Sequence, residues 1–221
     1  MNYRGDFLIG HEDKIQGKVV LEVAAGAGYV SENIIELQPA KFFMTDYQGS
    51  GTFRYNPFKD KPNVYTPVID ILHDLPDFYK NNTVDTVICA GYLYHTAHPA
   101  WAIEQMLIGR PKWFYLETNS GDKIGNYDVG ANGYEELDAN GNHSSYPGAM
   151  PYQLCLHETI IEQMVISLNY KISNTLTDKL IRSLLYKERT PDFEKYPLGE
   201  GGEGYYDFWK GTTGWWFERN D

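Results

Sequence analysis

The 221 residues, 42% apolar and 22% charged, suffice for one globular domain with a sizeable core and argue against a disordered chain. A formal net charge of −11 without a basic stripe disfavours nucleic acid as a general partner, and no apolar run nears the roughly 20 residues of a membrane span. The start MNYRGDFLIGHEDK lacks the apolar region of a signal peptide, so a cytoplasmic chain is expected. The only cysteines are Cys89, in a predicted strand, and Cys155, in a predicted loop; with neither CxxC spacing nor a disulfide framework, both are expected to be reduced and structural.

In chain order, β-rich and helical runs alternate: VVLEVA, YVSENIIELQ, FFMTDY, VYTPVID, VDTVICAG, PAWAIEQMLI and WFYLET. Such alternation predicts a mostly parallel α/β sheet, and near-continuous apolar strands such as TVICA fit a sheet covered on both faces. The first helix is expected from near Gly28 to before Pro39, with Ile34, Ile35 and Leu37 facing inward. After Thr118 comes a polar, Gly- and Asn-rich stretch, too long for an ordinary connection and read as a lid or substrate wall over 119–156. The helix HETIIEQMVISL follows, then YKISNTL and RSLLYKE, whose short separation suggests an antiparallel pair within 157–190. The tail over 191–221 carries seven aromatic residues between Tyr205 and Phe217. Those rings pack on the domain or on a second copy in a homo-oligomer, or else cover a ligand.

The stretch VVLEVAAGAGYVSE places Glu22 inside an apolar strand four residues before Gly26, with Gly28 next. In an open α/β sheet, ligands collect beyond the carboxyl ends of the strands, and glycine lets the backbone approach them closely. Asp46 ends the second strand run and Asp70 the third, so three successive strands deliver carboxylates near one edge. A carboxylate accepts both hydroxyls of a ribose diol and also suits an amino group.

Over Lys18 to Thr118, and more loosely to Glu188, the sequence resembles the Rossmann-like, class I S-adenosylmethionine-dependent methyltransferases. Their first motif, acidic-x-Gly-x-Gly-x-Gly, is matched by Glu22-Val-Ala-Ala-Gly26-Ala-Gly28, with Ala24 at the first glycine. The resemblance implies S-adenosylmethionine as cofactor. Gly26 and Gly28 would lie against its methionine portion, Asp46 would bond the ribose, Asp70 with Ile71 would flank the adenine, and Glu22 would anchor the turn or the amino group. Ala24, Tyr47, Ala90 and Gly91 join that set, since DTVICAGYLYHTAHPAWAIEQM looks like the family's fourth strand, cofactor-facing turn and next helix. GSGTFRYNPFKDKPN departs from the family where a second helix is usual. The expected fold is a single doubly wound α/β domain: a mostly parallel seven-stranded sheet with an antiparallel final strand, a long insertion after strand 5 and an aromatic C-terminal tail.

Two other readings stand beside this one. GAGYVS approximates the dinucleotide fingerprint with Ser31 in the last small position, which allows an NAD-dependent oxidoreductase; a non-catalytic cofactor-binding or scaffold protein would keep the fold without transfer. Cys89-Ala-Gly-Tyr92 lacks the Asn/Asp-Pro-Pro-aromatic motif of DNA amino-methylation, so a small-molecule O or N acceptor is expected. The fifth strand offers Glu117 and Asn119 but the fourth offers no acid, so no metal is expected, with His143, His157, Asp122 and Glu158 as the residues that would supply one. For proton removal from a hydroxyl acceptor, His95 is the first candidate base and His157 its substitute, with Tyr92 to orient base or substrate.

Overall fold

The computed structural model describes residues 7–26, 28, 30–47, 58, 60–121, 128–130, 153–177 and 212–221. The apolar runs form the strands β1 (Val19–Val23), β2 (Lys41–Met44), β3 (Val64–Tyr65), β4 (Thr86–Ala90) and β5 (Trp113–Gly121). These lie in the order β3-β2-β1-β4-β5, all mutually parallel. The crossovers carry helices α1 (Ser31–Glu36), α2 (Leu75–Asn81) and α3 (Pro99–Leu107). Val87, Ile88 and Cys89 of β4 are fully buried, as a strand covered on both faces requires. Alternate strand residues feed two cores. Leu21, Val87 and Phe114 pack with Ile103 and Ile161 on one face, and Val20, Ile88 and Tyr115 pack with Ile15 and Ile34 on the other.

The sheet is completed by β8 (Tyr170–Thr177), which follows helix α4 (Glu158–Ile166), and by β9 (Thr212–Arg219). β9 runs antiparallel between β5 and β8, so the seven strands read β3-β2-β1-β4-β5-β9-β8 with one reversed. The antiparallel partner of Tyr170–Thr177 is therefore the aromatic stretch itself; RSLLYKE lies outside the described residues. Trp215, Trp216 and Phe217 have no exposed surface. Trp215 and Phe217 enter one core and Trp216 the other, so these three rings pack inside the domain and neither cover a ligand nor face a second copy. Tyr205, Tyr206, Phe208 and Trp209 lie outside the described residues.

Three expectations need correction. VYTPVID is not one strand, because Pro67 has no N–H to offer the ladder. β3 stops at Tyr65, and pairing resumes only as an isolated bridge between Asp46 and Val68, leaving Asp70 past the strand in the turn before α2. Helix α1 starts at Ser31 rather than near Gly28, whose φ of +80° is incompatible with a right-handed helix. Cys155 lies in a strand, not a loop: within the insertion, β6 (Asp128–Gly130) pairs antiparallel with β7 (Gln153–His157). β7 also runs parallel to the end of β5, with Ser120 opposite Leu156 and Gly121 opposite His157. Among the described residues no helix is long and apolar enough to cross a membrane.

Candidate functional site

The carboxyl end of β1 is built around Glu22, which is 2% exposed. The Ser31 hydroxyl at the start of α1 donates to its Oε2 at 2.5 Å. Burial pushes the Glu22 carboxyl up to about 8; the Ser31 bond opposes that rise and the charge of Asp46 adds to it. Thr45, just past β2, ties this end to its neighbour: its N–H and hydroxyl both donate to the Glu22 carbonyl, and its own carbonyl accepts from the Ala25 N–H.

The chain then turns sharply. Ala24, Gly26 and Gly28 all have left-handed φ, of +53°, +55° and +80°. At Ala24 a side chain tolerates a conformation that glycine adopts without strain, which is why the motif ordinarily has glycine there. A Cβ built on Gly26 would meet no described atom within 4 Å. On Gly28 it would lie 3.0 Å from Met44 Cε and 3.0 Å from Phe58 Cε2, so that glycine serves close packing beneath the turn.

Asp46 binds the turn to β2. Its Oδ2 accepts from the Gly26 N–H at 2.5 Å, and its Oδ1 from the Tyr47 N–H at 2.7 Å. Glu22, Ala24, Gly26, Gly28, Asp46 and Tyr47 thus form one continuous structure at the carboxyl edge. Asp70 and Ile71 follow directly on Ile69, whose N–H donates to the Asp46 carbonyl at 3.0 Å. The Asp70 carboxylate accepts from the Leu72 N–H and meets His73 Nδ1, both at 2.9 Å, while Ile71 is buried in a core cluster. Both residues are engaged in building the turn into α2.

At the end of β4, Ala90 is followed by Gly91 with φ of +86°. Its N–H donates to the Glu117 carbonyl of β5 at 3.0 Å. A Cβ on Gly91 would sit 3.2 Å from the Tyr94 hydroxyl. Tyr92 precedes a 3-10 turn, Leu93–His95, in which the Tyr94 and His95 rings lie 4.2 Å apart. β7 packs against this turn, so the elements bearing His95 and His157 are neighbours. His157 caps α4, its Nδ1 accepting from the Thr159 N–H at 3.2 Å. Cys89 is buried, and burial pushes its thiol up to about 12, as a core cysteine requires. His143 and Asp122 lie outside the described residues. Among the described residues, no group of three or more His, Cys, Asp or Glu side chains is placed to hold a metal ion.

Reading the sequence only as a list of metal ligands missed the wider setting of Glu117. It shares a face of β5 with Tyr115, whose hydroxyl donates to Glu117 Oε2 at 2.9 Å. The signal was available in their spacing, since residues two apart on a strand point the same way.

No protein-family model matches the chain, and no curated protein matches it in sequence. Solved structures do match over nearly its whole length. The 1,6-didemethyltoxoflavin-N1-methyltransferase of Burkholderia thailandensis, with bound 1,6-didemethyltoxoflavin and S-adenosylhomocysteine, superposes at TM-score 0.62 and 10% identity, covering 99% of this chain and 77% of that one. The magnesium protoporphyrin IX methyltransferase of Synechocystis, with bound S-adenosylhomocysteine, does so at TM-score 0.58 and 12% identity, over 97% and 79% of the two chains. The chain has the fold of the S-adenosylmethionine-dependent methyltransferases. The same methyltransferase fold is shared by the 4+2 cyclase SpnF, at TM-score 0.58 and 12% identity over 97% and 81% of the chains. This methyltransferase fold therefore carries more than one chemistry, and function has to be argued from the site.

Proposed function

We propose that the chain binds S-adenosylmethionine along the β1, β2 and β4 ends and transfers its methyl group to an oxygen or nitrogen of a small molecule. The observation that carries this reading is the Asp46 carboxylate held across the Gly26 turn, beside the buried Glu22. The residues fit such a ligand: a carboxylate for a ribose diol, and at Gly26 a backbone without a side chain to block its approach. Ser31, which a dinucleotide-binding reading needs as the small residue facing the helix, is instead bonded to Glu22. The acidic charge and the lack of a basic stripe support a small molecule over nucleic acid.

Bound S-adenosylmethionine would supply a methyl group already activated by a sulfonium. The protein then has to position the acceptor and exclude water. Where the acceptor is a hydroxyl, His95 is the proton acceptor in this reading, with Tyr92 beside it on the turn after β4. His157 is less suited. With Nδ1 accepting from Thr159, its Nε2 carries the proton in the neutral ring and cannot accept another.

The deciding experiment is calorimetry of the purified protein against S-adenosylmethionine, S-adenosylhomocysteine and NAD. Binding of the first two with NAD silent is the expected result, and preferential binding of NAD overturns the reading. With an acceptor in hand, His95→Ala should lower turnover about a hundredfold, the usual scale for a general base, with cofactor affinity little changed.

A further inference from the structure

We propose that Glu117 is the carboxylate that recognises the methyl acceptor, selecting one that presents an N–H or O–H donor or a positive charge at the transfer point. The proposal rests on the methyltransferase reading above and names a residue outside its cofactor set.

Three features of the structure hold Glu117 in place. The first is the Tyr115 hydroxyl, which donates to Oε2 at 2.9 Å. The Tyr115 ring is fully buried and stacks on Phe7, with centroids 3.7 Å apart and planes 5° from parallel, so the donor has little freedom to turn away. Burial and the negative charge of Glu117 hold the phenol far above its ordinary pKa, so it stays a donor throughout the neutral range.

The second is Gly214 on β9, directly opposite Glu117 in the ladder. A Cβ at Gly214 would lie 2.6 Å from the Tyr115 hydroxyl. The missing side chain therefore makes the space in which that hydroxyl reaches the carboxylate.

The third is the backbone. Glu117 pairs with Ala90 of β4, and its carbonyl accepts from the Gly91 N–H. That places it beside the turn carrying Tyr92 and His95, one strand beyond the β4 end. Tyr115, two residues earlier on the same face, is fully buried in the core cluster, while Glu117 is only half-buried. A half-buried acid braced by a buried phenol is suited to receiving a donor at a protected edge, where a charge-assisted hydrogen bond is stronger than in open water.

Sinefungin tests this without knowledge of the acceptor. It is a cofactor analogue in which a carbon bearing a primary amine replaces the sulfonium and its methyl, so it carries N–H donors and a positive charge to the transfer point. S-adenosylhomocysteine carries none there. Calorimetry should show that Glu117→Gln lowers sinefungin affinity about tenfold or more, the scale of one charge-assisted hydrogen bond, while S-adenosylhomocysteine affinity stays within about twofold. Tyr115→Phe, which leaves the carboxylate but removes its brace, should lower sinefungin affinity by about threefold and again spare S-adenosylhomocysteine. If both ligands weaken together in a folded variant, or neither weakens, Glu117 does not face the transfer point and the proposal is overturned. If wild-type protein binds neither ligand, the methyltransferase reading itself fails.

Discussion

Asp46 Oδ2 accepts a hydrogen bond from the Gly26 N–H at 2.5 Å, across 20 positions of sequence. One carboxylate thereby fixes the end of β2 to the turn after β1, and its second oxygen holds the Tyr47 N–H. Asp46→Ala removes both acceptors. We expect S-adenosylhomocysteine affinity to fall by about 1.5 to 3 kcal/mol, the range for hydrogen bonds to a charged group. Calorimetry on a variant shown to be folded by circular dichroism checks this, and unchanged affinity would remove Asp46 from the cofactor site.

Gly26 and Gly28 have similar backbone angles but different surroundings, so they should fail differently. Gly28→Ala forces a side chain into a left-handed position 3.0 Å from Met44 and Phe58 and should cost about 1 to 2 kcal/mol of stability. A Cβ at Gly26 meets no described atom, so Gly26→Ala carries the left-handed backbone strain without added contacts, and its effect on ligand affinity should exceed that of Gly28→Ala. Thermal melting and calorimetry on the two variants separate these effects.

Glu22 gives the fold a pH signature. Its pKa is raised from 4.5 to about 8, so the folded state holds this proton more tightly than the unfolded state. The stability it contributes is complete below about pH 4.5, declines as pH rises and is lost above about pH 8, by at most on the order of 5 kcal/mol. Glu22→Gln keeps an acceptor for Ser31 without the charge and should flatten that decline. Urea midpoints at pH 5.5 and 8.5 provide the check. Parallel profiles for wild type and variant would show that Glu22 is not the group responsible.

His157 should matter to stability more than to chemistry. Losing its cap on Thr159 in His157→Ala should cost about 1 kcal/mol, and His157→Asn, a good N-cap, should recover most of it. Melting curves of the three proteins test the order. Equal stability in all three would mean the cap contributes nothing.

The strands β1, β2, β4 and β5 were legible because each is a compact apolar run ending near a glycine or an acid. The Glu22 to Gly28 turn was legible because its residue types have few other uses. Elsewhere, local pattern misled. Pro67 split a run that otherwise looked like one strand. Helix α2, seven residues long, shows too little periodicity to stand out. The strand β7 hides in a polar stretch and is recognisable only once β5 extends to meet it. The segment TTGWWFER carries adjacent tryptophans that suggest a surface cover, yet a strand buried on both faces needs large apolar residues at successive positions. Which strand paired with β8 depended on a contact that no local window contains.

That last strand ties together distant parts of the chain. The Trp216 indole donates to the Phe7 carbonyl 209 positions away, and β9 is the only described strand joining β5 to β8. Loop closure over such separations makes folding slow. A chain in which β9 is not inserted would present β5 as an open edge beside uncovered aromatic surface, the kind of species that self-associates. Refolding yield should therefore drop with protein concentration, and mutations that weaken β9 should harm recovery of the protein before they harm any activity it has.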